Sequence, residues 1–177
     1  MISFLMDSSI IDRIVVVWLG GHAHSWQNTA EFSMVQDFIG SRVLFDSGVA
    51  LVQLPCLGVV DHFTISRAEL EDRLNRQNKL CDYLVKLTVA DQNANHQTHA
   101  WSQIIWDVTV VAWLIDESFT HSHLVPTPYI ESNPRYDIFH DGHYQYAFNQ
   151  SRPLMRYVYQ IDRDLIWEDL VKKLTQA

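Results

Sequence analysis

The chain has 177 residues, enough for one domain with a real hydrophobic core and too few for two comfortable ones. An apolar share of 47% and a charged share of 19% are ordinary for a globular protein and argue against disorder. With 13 basic and 21 acidic residues the formal charge is −8, and the only adjacent basic pair is Lys172-Lys173. That balance repels phosphate backbones and anionic lipid, so neither nucleic acid nor a membrane surface is an expected partner.

The first residues, Met1 to Asp7, carry a short apolar run without a basic segment or a small-residue cleavage site, which is not a signal-peptide pattern. Ile14-Val-Val-Val-Trp-Leu19 is a continuous apolar run closed by Gly20-Gly21, as expected for a strand buried in a parallel sheet. From Thr29 to Phe45, Phe32, Val35, Ile39, Val43 and Leu44 recur at helical spacing and Ser47-Gly48 stops the pattern. Val49 to Leu54 is a second strand, closed by Pro55. Strand, helix, strand in that order is a βαβ unit, hence an α/β sheet.

Ser66-Arg-Ala-Glu69 reads as a capping box opening a helix to about Leu87, followed by a polar loop from Asp91 to Thr98. Trp101 to Ile115 reads as one helix, apolar nearly all round and therefore buried. Tyr136 to His140, Asp141-Gly142 and His143 to Phe148 form a β-hairpin with an Asp-Gly turn. Leu154 to Ile161 is a further strand, and Asp162 or Asp164 caps a final amphipathic helix with both lysines near its end. No repeat or linker divides residues 1–177. Cys56 and Cys81 form no Cys-x-x-Cys pair and read as packing thiols in a reducing compartment, so a soluble cytoplasmic protein is expected.

Two segments could carry chemistry. Gly20-Gly21 leads through a polar loop with Asn28 to Glu31-Phe-Ser33 at a helix entrance, and ligands of open α/β sheets bind outside the carboxyl ends of such strands. Glu31 could equally be a carboxylate favoured by a helix N-terminus. The second is Trp106-Asp107, where an aspartate inside an apolar helix is costly unless it is paired or bound to a metal. The pairs His22/His24, His121/His123 and His140/His143 have no third ligand at a zinc spacing, and no serine sits in a nucleophile-elbow pattern.

Gly20-Gly21, Glu31-Phe32 with Asp37 after it, the strand ending in Pro55 and Trp106-Asp107 occur in an order that resembles the inosine-uridine-preferring nucleoside hydrolases. The resemblance runs from about Ile14 to the Asp107 helix and corresponds to the C-terminal part of that family. It implies a Rossmann-like fold, largely parallel, and hydrolysis of the N-glycosidic bond of a ribonucleoside to base and ribose. It implies a calcium ion holding the ribose hydroxyls and a water, an oxygen-rich site of the kind that ion favours. Residue by residue, it implies ribose contacts by Glu31, Asn28 and Ser33, with Asp107 as calcium ligand. Trp106, a histidine in some relatives, implies stacking on a purine. Ser33 replaces the usual asparagine of Glu-Phe-Asn. The family's opening Asp-x-Asp-x-x-x-Asp-Asp is absent; Asp162-Arg-Asp164 is the only Asp-x-Asp and lies at the other end.

No catalytic residue is therefore assigned, and no well-formed calcium site is expected in the isolated chain. Three readings stay open: the chain is active as a homo-oligomer or with a partner chain supplying the N-terminal part, it is an inactive truncated remnant that binds without turnover, or it is a self-sufficient hydrolase of altered mechanism. Glu31 and Asp107 are expected at one cleft, and the strand from Ile14 is expected to have an unpaired edge.

Overall fold

The two aliphatic runs beside the double glycine pair with each other. β1 (Val15–Leu19) and β2 (Ala50–Leu54) run parallel, Val15 opposite Ala50 and Leu19 opposite Leu54. This computed structural model describes residues 7–95, 98, 100–132 and 144–176. β8 (Leu154–Ile161) lies parallel on the other side of β2, and β5 (Thr120–Pro126) pairs antiparallel with β8. The order β1-β2-β8-β5 makes a mostly parallel sheet, as the βαβ pattern predicts.

Alternation along the strands sends side chains to two cores. On one face Val17, Leu19, Val52, Leu54, Val158 and Ile161 pack against helices α3 (Arg67–Leu74), α4 (Lys79–Asn95), α5 (Val108–Ile115) and α6 (Arg163–Thr175). On the other, Trp18, Leu51, Met155 and Tyr157 meet Met34 of α1 (Phe32–Gln36) and Leu44 and Phe45 of α2 (Phe38–Asp46). The C-terminal helix forms as expected; Asp162 occupies its N-cap position without a side-chain cap bond.

The helix read from Thr29 to Phe45 is two helices. Asp37 leaves helical geometry at φ −144°, ends α1, and accepts the Gly40 N–H at 2.7 Å to start α2. The face that buries is also different: Met34, Ser41, Leu44 and Phe45 go inward, whereas Phe32, Val35 and Ile39 are exposed. The capping box at Ser66 and Glu69 is present, but its helix stops at Leu74, and Arg76 at φ 66° and Asn78 turn the chain into α4. Asn78 accepts the Cys81 N–H at the start of α4, and the expected polar loop from Asp91 is instead helical as far as Asn95.

Trp101 to Ile115 is likewise not one helix. β3 (Thr64–Ser66) and β4 (Ser102–Ile104) form a separate antiparallel pair, and only Val108–Ile115 is helical. Backbone pairing of Ser102 and Ile104 with β3 outcompetes helix there. α5 is not buried all round either, because Val111, Leu114 and Ile115 face outward.

β6 (Tyr129–Ser132) and β7 (Tyr144–Ala147) form an antiparallel pair. The expected hairpin strand Tyr136 to His140, its Asp141-Gly142 turn and His143 lie outside the described residues. β5 and β6 have no clear alternation in sequence; their polar and proline-bearing residues are held by pairing with neighbours. Among the described residues no helix is long and apolar enough to cross a membrane.

Candidate functional site

The carboxyl ends of β1 and β2 are laced together into a loop platform. Gly20 N–H donates to Leu54 O at 3.2 Å, Cys56 N–H to Gly21 O at 2.8 Å and Ala23 N–H to Leu57 O at 2.9 Å. Gly21 has φ +67°, and a Cβ there would run into the Tyr146 hydroxyl, so only glycine fits this turn.

Glu31 organises the platform. Its Oε1 accepts the N–H groups of Gly21 at 2.9 Å and Met34 at 2.6 Å; its Oε2 accepts the Ser33 N–H at 2.9 Å. The Cys56 thiol lies 3.7 Å from Oε2 and donates to it. A carboxylate has about four lone-pair positions, so all of them are engaged. Burial pushes the Cys56 thiol well above its ordinary range, and the negative charge of Glu31 adds to the effect.

Above this platform lies a cleft of about 470 Å³, walled by Leu19, His22, Glu31, Phe32, Ser33, Cys56, Trp106 and Asp107 among others. Glu31 and Asp107, far apart in the chain, thus border one cavity. α5 packs against β1, and Trp106 and Asp107 at its entrance line the cleft together with Leu19 at the end of β1. Asp107 is not within an apolar helix. It is the exposed N-cap residue of α5, and its carboxylate makes no cap bond. Trp106 is half-buried: it packs on the core beneath α5 and also lines the cleft.

Of the residues singled out from sequence, Glu31, Ser33, Trp106 and Asp107 meet in this cleft. Asn28 does not line it. Its Oδ1 accepts the N–H groups of Ala30 and Tyr144, both at 3.0 Å, and so ties the loop to β7. His22 and Cys56 were not singled out for the cleft, although each follows closely on the end of a parallel strand, where ligands gather. His22 Nδ1 accepts the Leu57 N–H at 3.3 Å. Burial lowers the His22 pKa, partly opposed by Glu31, so the ring is held neutral.

His24, His121 and His123 are also engaged by protein partners. His24 contacts Gln53 Oε1 at 3.1 Å and stacks on Tyr157 at 4.0 Å; His121 lies 3.2 Å from Asp162. His140 and His143 are outside the described residues.

No family model and no curated protein matches this chain by sequence. Solved structures do match. A plant nucleoside hydrolase superposes with a TM-score of 0.71 over 99% of this chain at 12% identity. The fold is that of the nucleoside hydrolases. An inosine-uridine-preferring nucleoside hydrolase from Bacillus anthracis gives 0.66 over 98% of the chain at 13% identity. A purine-preferring ribonucleoside hydrolase from Gardnerella vaginalis gives 0.63 over 91%, also at 13% identity. The chain spans only 58%, 55% and 50% of those three structures, in the same order.

The nucleoside-hydrolase fold raises the question of calcium, which takes about six to eight oxygen ligands. The cleft has one carboxylate free to bind it, on Asp107, because Glu31 is engaged by three amides and a thiol. His22 and Cys56 are nitrogen and sulfur donors that this hard cation disfavours. Among the described residues no group of three carboxylate, imidazole or thiol side chains could hold a metal. The residues present do not fit a calcium centre by themselves.

Proposed function

We propose that the cleft is the ribonucleoside-binding part of an N-ribohydrolase site, which cleaves the N-glycosidic bond to base and ribose. The observation that carries this reading is the convergence of Glu31, Ser33, Trp106 and Asp107 on one cavity at the carboxyl end of a parallel sheet. The ribose faces Ser33, Glu31 and the open carboxylate of Asp107. The base lies against Trp106, whose large indole favours a purine. The nucleoside substrates named for the fold neighbours support the substrate class through shared architecture.

Turnover needs carboxylates beyond the two that line the cleft, supplied by a partner chain or a second copy. Calcium belongs to that completed assembly, with Asp107 as this chain's ligand. The free, buried Cys56 and Cys81 support a reducing, cytoplasmic setting. A second reading, binding without turnover, is favoured by the saturation of Glu31, which leaves its carboxylate a structural cap as much as a ligand.

Titration of the labelled chain with inosine and with uridine, with and without calcium, tests the proposal by NMR. Inosine should shift cleft resonances and bind more tightly than uridine, and Asp107→Ala should weaken it. A reducing-sugar assay should detect no ribose from the isolated chain. Absence of any inosine-dependent shift at millimolar concentration would sink the nucleoside reading. Ribose release by the chain alone would instead remove the need for outside carboxylates.

A further inference from the structure

Gln53 lies in β2 with no exposed surface. A buried side-chain amide is costly unless its N–H groups and its oxygen are all met, and here they are. Nε2 donates to Gly20 O at 3.0 Å and to the Tyr146 hydroxyl at 2.9 Å, and Oε1 faces His24 Nε2 at 3.1 Å. The Gly20 carbonyl can only accept. That fixes which way the amide points and puts the His24 proton on Nε2.

The bond to Gly20 reaches the cleft in one step. Gly20 O and Gly21 N belong to the same planar peptide unit, so holding the carbonyl sets the direction of the N–H. That N–H is the one Glu31 Oε1 accepts at 2.9 Å. Gln53 thus grips one side of the peptide plane and Glu31 the other. The Tyr146 hydroxyl extends the network, being hydrogen-bonded also to Thr29, whose Oγ1 accepts the His22 N–H at 2.8 Å.

We propose that Gln53 is a positioning residue for Glu31, acting through the Gly20–Gly21 peptide, and that the neutral ring of His24 holds it in place. The ring stacks on Tyr157 of β8 at 4.0 Å and meets Tyr146 of β7 and Phe148 edge-on at 4.8 and 5.1 Å. His123 of β5 faces the same Tyr157 at 5.7 Å. Among the described residues packed on His24 there is no carboxylate to neutralise an imidazolium. Burial lowers its pKa to about 4; Gln53 opposes the shift and His123 adds to it. A ring charged in that setting leaves the stack for water and abandons Gln53 Oε1. The amide can then turn, the Gly20 carbonyl is released, and the Gly21 N–H no longer points steadily at Glu31. The platform is therefore assembled while His24 is neutral and loosens as pH falls towards 4.

A pH titration of the labelled, ligand-free full chain by NMR tests the coupling. As pH falls from neutral towards 4, the Gly21 amide should shift with the midpoint of the His24 ring, while amides of α6 stay in place. Gln53→Met keeps the volume without the amide, and at neutral pH it should speed Gly21 amide exchange roughly tenfold or more relative to α6. His24→Phe keeps an aromatic stack without a titrating nitrogen, and in it the Gly21 transition should vanish. If Gln53→Met gives no cooperative melt, the parent and His24→Phe titrations decide. A Gly21 amide that ignores His24, parent-like Gly21 exchange in Gln53→Met, or a transition that survives in His24→Phe and so belongs to another group such as Glu31 would each overturn the proposal. The ligand arm rests on the nucleoside reading of the cleft. Inosine should bind the parent roughly tenfold or more weakly across the transition, and His24→Phe should not show that fall. Inosine affinity that is constant across the transition would overturn the positioning role. No inosine binding by the parent at any pH, with Gly21 still following His24, would instead sink the nucleoside reading and uphold the coupling.

Discussion

Glu31 and Gly21 are joined by a hydrogen bond of 2.9 Å between a carboxylate oxygen and a backbone N–H, ten residues apart in sequence. The bond fixes the double-glycine turn to the entrance of α1. The same carboxylate accepts two more amides, so the platform of the cleft has a single charged hub.

Glu31→Ala should therefore destabilise the fold as well as alter the cleft. Three part-buried amides lose a charged acceptor, and a net cost of about 2–4 kcal/mol is expected. Urea unfolding followed by circular dichroism measures it. Glu31→Gln keeps one acceptor oxygen and should cost less. Equal stability of Glu31→Ala and the parent would show that the hub contributes nothing.

Trp106→Ala should separate packing from recognition. If the indole stacks on a base, purine nucleosides lose roughly 1–3 kcal/mol of binding and pyrimidine nucleosides lose less. Calorimetry with inosine and uridine on the same variant gives the comparison. Equal losses would assign the side chain to the core beneath α5 alone.

His24 should make stability depend on pH. Burial lowers its pKa from 6.5 to about 4, although Gln53 opposes the shift and His123 adds to it. The unfolded chain binds more protons than the folded one between those values. Stability from this group is thus fully present above about pH 6.5, falls as pH drops towards 4, and then levels. The loss is on the order of 2–3 kcal/mol. His24→Asn should flatten the profile in that window, as read from denaturant midpoints at successive pH values. A variant with the parent's slope would move the effect to another group.

Asp37→Ala should cost about 0.5–2 kcal/mol, because it removes the N-cap of α2 at the break between two short helices. Asp37→Asn retains a capping oxygen and should be close to neutral. Thermal melts of the two variants distinguish them. If both lose equally, the charge of Asp37 matters and not its cap geometry.

Much of the architecture is determined locally. β2, β8 and the C-terminal helix are legible because their apolar spacing agrees with their final burial, and the capping box at Ser66 is a contact over three residues; β1 is legible as a strand, but the burial expected of it is not met, since Val15 is exposed and Val16 to Leu19 are only half-buried. Glu31 was identifiable as a carboxylate at a helix entrance beyond a strand end; Asp107 stood out as a carboxylate among apolar neighbours, but the burial that reading assumed is absent, because the side chain is exposed at the start of α5. Tertiary structure decided the rest. Ser102–Ile104 is a strand because β3 supplies its partners, and Phe32 and Ile39 face outward because Met34 and Leu44 fill the sheet face first. Asn28 left the cleft for the same reason: the amide of Tyr144, distant in sequence, satisfies its side chain. Local spacing records which residues can bury or bond. Which partner each one meets depends on chain segments brought together only by the folded sheet.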